Sequence, residues 1–467
     1  MEGNFVHQFF KFFDKIRKNI YLIHMKCSLL KIILLSVFPY LDYGQEEKIP
    51  ERQIISNLKI EEKLTAKTVK LKSVTDEKFG FQLAKRRKIT RIPFEFQANL
   101  VIVPVKVNNS DTLRFILDTG VSSILITDPQ IAKDQRMKFA RNVKIFGAGE
   151  GNDIEAGIVL DNTITMGDMI GYRQNLVVLK EDILKLSEFV GSPIHGIIGY
   201  EIFNRFVVTI DFGTNEIILQ NPEHYKYKPS KGERFPITIE ENKPYLSTIE
   251  LINDKQNLPL KVILDTGAGH AISLDANRNH AIPMPQKVVK AQLGRGLSGV
   301  INGSLGRISK LRLGKFEMKN LVASFPDSAS YRIRGMELTE RQGNIGCEFL
   351  RRFKITFNYR DQYIVLKPIN RRMKEPFEHN MSGIELMAKG DDFHDYTVDR
   401  IIENSPAEDA GLLQGDRVMF INNKSSKDIS ISEIYKLFQK GEGKNINLIM
   451  KRGQDMFFAT INLRRLI

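Results

Sequence analysis

The sequence predicts a mostly β chain in which two pseudo-symmetric lobes precede a small α+β domain. Three observations carry that reading. Phe115-Ile116-Leu117-Asp118-Thr119-Gly120 has a near-copy in Val262-Ile263-Leu264-Asp265-Thr266-Gly267, 147 residues later. The same interval recovers Gly147 with Gly294, Gly149 with Gly296, Gly167 with Gly314, Ile198-Gly199 with Ile345-Gly346, Glu201 with Glu348, and Arg205-Phe206 with Arg352-Phe353. Short β-branched and aromatic runs bounded by Gly, Asn and Asp recur through both copies, which is the pattern of strands joined by tight turns. Two copies indicate a paired architecture and not a solenoid.

Composition permits this. At 467 residues, with 42% hydrophobic and 27% charged residues, the chain is long and apolar enough for two to four cored domains. The net charge of +14 is scattered, and its densest clusters, Lys85-Arg86-Arg87-Lys88 and Arg371-Arg372, fall at expected domain edges. No nucleic-acid-binding motif accompanies them, so a solvated basic surface is expected and a nucleic-acid partner is not. The two cysteines are Cys27 and Cys347, and the eight histidines are dispersed. Neither a disulfide framework nor a metal cluster follows from that spacing, and no cofactor is expected.

In chain order, residues 1–44 read as an export signal. Met25-Lys26-Cys27-Ser28 is its basic start, Leu29 to Phe38 its apolar run, and Gly44-Gln45 its cleavage region, so an exported protein is expected: periplasmic, secreted or membrane-associated. Residues 45–90 read as a charged linker or pro-like segment with one helix around Glu61 to Lys70. The first lobe is expected at 91–225. Its strands are Phe94–Phe96, Leu100–Val107, Leu113–Leu117, Ile124–Ile126, Val207–Phe212 and Glu216–Gln220, with a short helix over Tyr200–Phe206. The second is expected at 232–370, with strands Phe235–Ile239, Leu246–Ile252, Leu260–Leu264, Lys354–Asn358 and Tyr363–Leu366. The last domain, 380–467, opens a helix at Ser405-Pro406, continues in Val418–Ile421, and carries a helix from Ile431 to Lys440 before two closing strands.

Each Asp-Thr-Gly ends an apolar strand, where burying an unpaired carboxylate is costly. Two such carboxylates brought together can share one proton and activate water for attack on a carbonyl. Gly147 and Gly149, matched by Gly294 and Gly296, lie in glycine-rich stretches suited to mobile hairpins that close over a site. A reading in which Asp118 and Asp265 only cap turns does not require the matched surroundings. His195, Cys347 and Glu150 are cleft candidates for which packing or exposure is the simpler account.

The paired Asp-Thr-Gly units, each followed by an apolar-Gly motif and a hairpin, resemble the retropepsin-like and pepsin-like aspartic proteases over 91–222 and 232–368. The resemblance implies two acid-protease β-barrel lobes and one active site shared between them. It implies Asp118 and Asp265 as catalytic residues, with Thr119, Gly120, Thr266 and Gly267 in the supporting loops. The substrate would be a polypeptide, hydrolysed at acidic to mildly acidic pH by a monomer whose lobes pair within the chain. The lobes differ after the motif, with Val121-Ser122-Ser123 against Ala268-Gly269-His270. The segment from Ser405 to Val418 resembles PDZ domains of the bacterial protease-associated type, which implies a peptide C-terminus or regulatory peptide bound near Ser382, Gly383 and Ile384. The competing class is a catalytically inactive peptide-binding or scaffold protein, against which the presence of both aspartates weighs.

Overall fold

The interval of 147 residues reappears as strand register. In the first lobe Leu113–Leu117 runs parallel to Gly196–Ile198, which sets Phe115 opposite Gly196 and Leu117 opposite Ile198. In the second, Asn257–Leu264 runs parallel to Gly343–Ile345, which sets Val262 opposite Gly343 and Leu264 opposite Ile345. The computed structural model describes residues 78–84, 87–151, 153–252, 257–276, 281–331 and 341–467, all within the unit Glu77–Ile467. The export signal expected at 1–44, including Cys27, and the helix expected at Glu61 to Lys70 lie outside the described residues. Among the described residues, no helix is long and apolar enough to cross a membrane.

Each lobe is a sheet that closes on itself. The first runs in the order Gly80–Leu83, Met169–Leu179, Leu125–Ile126, Gly196–Ile198, Leu113–Leu117, Leu100–Val107, Ile154–Met166, Phe139–Ile145, and Ile154–Met166 pairs again with Met169–Leu179. The second runs Thr238–Glu240, Lys243–Ile252, Asn257–Leu264, Gly343–Ile345, Ile272–Leu274, Phe316–Pro326, Gly299–Leu313, Val288–Gly296, and Lys243–Ile252 pairs back onto Gly299–Leu313. Closure satisfies backbone groups that an open edge would leave unpaired.

A third sheet belongs to both lobes. Its order is Ile89–Pro93, Glu216–Gln220, Val207–Asp211, then Phe353–Asn358, Tyr363–Pro368, Glu233–Pro236, so each half mirrors the other. At its centre Thr209 stands opposite Thr356, again 147 residues apart, and their hydroxyls meet at 2.7 Å. The apolar side chains of both lobes form one continuous buried cluster. The lobes therefore share a core as well as a sheet.

Two features depart from the sequence reading. Gly80–Leu83 falls in the expected linker but pairs with Met169–Leu179, and Ile89–Pro93 pairs with Glu216–Gln220 across the expected boundary at 91. Only Phe81 points inward from the first of these, its ring lying against Gly171, and the basic run beside it hides the pattern. In the C-terminal domain the strands Ile384–Lys389 and Asp395–Ile401 precede the expected elements, joined across a bulge between Glu385 and Leu386. That domain has its own core, which includes Tyr396, Ile434 and Phe438.

The C-terminal domain also touches the first lobe. The short helix Leu186–Val190 packs on the strand Ile384–Lys389, and a side chain built on Gly191 would stand 2.5 Å from Ile431 of the helix Ile431–Phe438.

The connection to this domain is anchored by Arg352, whose side chain is fully buried. Its guanidinium stacks on Phe377 at 3.6 Å and donates to the carbonyl of Glu375 at 3.1 Å. Glu348 lies 3.4 Å away as counter-charge. Glu348 keeps Arg351 as a counter-charge, so losing Arg352 removes the buried stack on Phe377 and the donor to the carbonyls of Glu375 and Pro376. Arg352→Met is expected to lower unfolding stability by about 3 kcal/mol, read as a fall in the urea midpoint; an unchanged midpoint would show that the linker is held elsewhere.

Candidate active site

Both aspartates are delivered by the same device. The apolar strands Leu113–Leu117 and Asn257–Leu264 end at Asp118 and Asp265, whose N–H groups donate to the carbonyls of Ile198 at 2.9 Å and Ile345 at 2.8 Å. The apolar-Gly motif of each lobe thus tethers the turn from behind. The following threonines are fully buried and bond across the lobe boundary. Thr119 Oγ1 donates to the carbonyl of Leu264 at 2.5 Å and accepts from the N–H of Thr266 at 3.0 Å. Thr266 Oγ1 donates to the carbonyl of Leu117 at 2.8 Å and accepts from the N–H of Thr119 at 3.0 Å.

Within each turn the glycine N–H points at its own aspartate. Gly120 donates to Asp118 Oδ1 at 2.6 Å and Gly267 to Asp265 Oδ1 at 3.0 Å. The loops approach so closely that a Cβ on Gly267 would stand 2.2 Å from Asp118 Cγ. Only glycine fits there. The structure thus brings together Asp118, Thr119, Gly120, Asp265, Thr266 and Gly267.

Burial and the neighbouring carboxylate of Asp265 push Asp118 up to about 8, against the opposing pull of the Gly120 N–H and Lys243. Asp118 therefore keeps its proton at neutral pH. Tyr359 lies nearby, its phenol raised by burial and by Asp118.

The surroundings of the pair are unequal. Asn344 Nδ2 donates to Asp265 Oδ2 at 3.1 Å, and Asn344 Oδ1 meets His270 Nε2 at 2.6 Å. The interval of 147 residues sets Ile197 opposite Asn344 and Ser123 opposite His270, and neither can reproduce this link. Asn344 was not among the residues expected from sequence. The signal was its polar side chain before Ile345-Gly346, where the other copy has isoleucine.

Glycine-rich hairpins from the two lobes meet over the pair. Ser298 N–H donates to the carbonyl of Ala148 at 2.9 Å, and Gly147 N–H donates to Ser298 Oγ at 3.1 Å. Gly149 adopts φ +125°, with Gly299 N only 2.6 Å from where its Cβ would be, so the crossing requires glycine. Gly296 abuts Ala148, whereas Gly294 sits at a bulge in its own hairpin. Glu150 Oε1 accepts from Ser330 Oγ at 2.9 Å and Asn302 Nδ2 at 3.2 Å, joining the two lobes at the surface.

Beneath these hairpins lies a concavity of about 1470 Å³ that continues to the C-terminal domain. Phe146, Phe189, Leu186 and Leu297 line it beside the aspartates, with Lys243 and Arg341 as cations. His195 is not part of it, because its Nδ1 accepts from Arg114 N–H at the strand edge. Cys347 lies behind the loop, its thiol donating to the carbonyl of Thr266 at 3.2 Å.

Ser382, Gly383 and Ile384 are buried, and the polar groups of Ser382 and Ile384 are occupied. Ser382 N–H and Oγ–H both donate to Asn380 Oδ1, Ile384 N–H donates to Ser382 Oγ, and Asn380 Nδ2 donates to the carbonyl of Ile384. Further along the same strand, Leu386 N–H donates to Tyr435 Oη at 2.9 Å. In this structure the edge on which a peptide would add as a strand is capped by the domain's own side chains. Among the described residues no His/Cys/Asp/Glu cluster is arranged to hold a metal.

Two consequences are measurable. Thr266→Val keeps the shape but strands the carbonyl of Leu117 and the N–H of Thr119, so a loss of about 2–4 kcal/mol is expected in urea unfolding. A loss no larger than that of a surface substitution would show that the cross-bonds do not hold the loops. For Asp118, the unfolded chain releases its proton near 3.8 and the folded chain near 8. Across that window the folded state binds more protons, so this group's contribution to stability falls as pH rises and is flat above it. Asp118→Asn, which keeps the acceptor for Gly120, is expected to gain stability relative to the parent from pH 4 to pH 8. Parallel unfolding curves across that range would refute the raised value.

Residues 103–202 and 251–349 match the family model described as aspartyl protease, and residues 397–452 match that of the PDZ domain. Curated proteins give no match to this chain. The two aspartyl protease segments carry Asp118 and Asp265, one each, and the PDZ segment lies within the separately cored C-terminal domain. The chain carries two aspartyl protease family units in tandem, followed by a PDZ domain.

Proposed function

We propose that this protein is an endopeptidase that hydrolyses peptide bonds with water activated between Asp118 and Asp265. The observation that carries the reading is the pair itself: two carboxylates on cross-braced loops, one of them holding its proton at neutral pH. Like charges at close range do not both ionise readily, so the pair carries one proton and titrates as a unit. The ionised partner takes a proton from the bound water as its oxygen attacks the peptide carbonyl. The protonated partner donates to the carbonyl oxygen, giving a tetrahedral gem-diol. Proton return to the amide nitrogen then releases the two product chains.

The cleft suits an extended polypeptide. Its walls are apolar at Phe146, Leu186 and Leu297, and the hairpins above exclude bulk water, which strengthens each polar contact beneath them. Those hairpins must part for substrate to enter. Both aspartates lie in one chain, which supports a monomer as the working unit. The reading extends to an exported location, on the signal-like residues 25–44.

For the PDZ domain we propose a peptide-binding or regulatory role, with a chain terminus as ligand. Because Tyr435 and Asn380 occupy the strand edge, such a ligand must displace them. The role of the domain is then conditional, its groove opening only when a terminus competes successfully.

Cleavage of an unfolded protein by the full chain between pH 3 and 9 tests the proposal. The parent is expected to cut, with activity falling as pH rises through about 8, where Asp118 loses its proton. Asp118→Asn and Asp265→Asn are each expected to lose on the order of 10³-fold or more in kcat/KM. A folded parent that binds the unfolded chain without cutting it would favour the scaffold reading.

A further inference from the structure

The two halves of the site are related by the repeat, yet only one aspartate has an amide donor on its outer oxygen. Asn344 supplies it to Asp265 Oδ2 at 3.1 Å, and the other end of that amide is held by His270 Nε2 at 2.6 Å. An amide oxygen can only accept, so His270 must present an N–H to it. That contact fixes the amide with its NH2 toward the carboxylate. Burial lowers the basicity of His270 despite the neighbouring Asp265, so a neutral ring with its proton on Nε2 satisfies the link.

An N–H donor stabilises an ionised carboxylate over a protonated one. At the first aspartate, the residues at the matching positions are Ile197, which has no donor, and Ser123, which is exposed. The two motif positions after the glycines, Val121 and Ala268, offer no side-chain donor to either.

We propose that Asn344, oriented by His270, is a positioning pair that makes the dyad unequal: it holds Asp265 as the ionised partner, so Asp118 carries the shared proton. Within the reading of the chain as a peptidase, on which this rests, Asp265 is the base toward water and Asp118 the acid toward the carbonyl oxygen. Neither Asn344 nor His270 exchanges a proton with substrate. The charged groups around the link are Asp265 and Asp118 in front of it, Lys243 and Arg341 in the cleft, and Glu348, whose N–H donates to the carbonyl of His270 and whose carboxylate is held by Arg351. Asn99, which donates to the carbonyl of Gly269 from the first lobe, is neutral.

The test combines a titration with a rate profile, both on the full chain. Carboxyl 13C NMR of aspartate-labelled protein, assigned with Asp118→Asn and Asp265→Asn, follows the pair whether or not the chain cleaves anything. In the parent, Asp265 is expected to ionise first. In Asn344→Leu, the first ionisation is expected to move up by about one pH unit or to pass to Asp118. His270→Leu is expected to reproduce that change in part, and His270→Gln, whose amide can still donate to Asn344, to restore the parent order. In the rate profile the acid limb of kcat should move to higher pH in Asn344→Leu with KM little altered. If Asp118 ionises first in the parent, or if a folded Asn344→Leu shows neither the upward move of the first ionisation nor its passage to Asp118, the proposal is wrong even should the parent cleave. If the order shifts as stated but no variant or parent cleaves, the pairing stands and the peptidase reading fails. If His270→Gln behaves as His270→Leu, His270 does not orient the amide.

Discussion

Everything in this structure is subordinate to one unfavourable act, the burial of two carboxylates against each other. Desolvation and like charge both oppose it, and the raised value at Asp118 is the measure of that opposition. Such a pair persists only where the surrounding backbone cannot relax away. The four hydrogen bonds of Thr119 and Thr266 supply that rigidity, because each hydroxyl donates to the strand end of the opposite lobe and accepts from that same lobe's loop. Neither loop is complete alone. The shared sheet, with Thr209 against Thr356 at its centre, repeats the same dependence on the far side of the molecule.

Rigidity at the floor of the cleft contrasts with its roof. The hairpins meet through a few backbone bonds, the Ser298 hydroxyl and the contacts of Glu150 with Ser330 and Asn302, whereas the floor is held in a core shared by both lobes. Local opening is cheapest where few apolar contacts must break. The design separates what must stay fixed from what must move.

Much of this was legible in the sequence because a repeat exposes whatever it conserves between its own halves. The aspartates, the threonines and the apolar-Gly tethers are found in both copies and were found together in space. What the repeat could not expose is what one half does alone. Asn344 and His270 have no counterparts, so comparison of the copies marks them only as differences. Gly80–Leu83 escaped for another reason: a four-residue strand with one inward side chain, beside Lys85-Arg86-Arg87-Lys88, has too little periodicity to stand out. Ser382 to Ile384 follow from the PDZ resemblance alone. Their burial under Asn380 is a tertiary fact that no local pattern encodes.

The matched arginines have a further meaning. Arg205 donates to the carbonyl of Phe81, gripping the strand that precedes the first lobe, and Arg352 donates to the carbonyl of Glu375, gripping the segment that follows the second. One position in the repeat therefore serves as a socket, filled on one side by an incoming chain and on the other by an outgoing one. A third domain grafted onto the end of such a pair arrives at a socket that symmetry had already cut. Its linker is thereby held by Arg352, just past the helix Cys347–Leu350, which follows the Gly343–Ile345 strand that tethers Asp265.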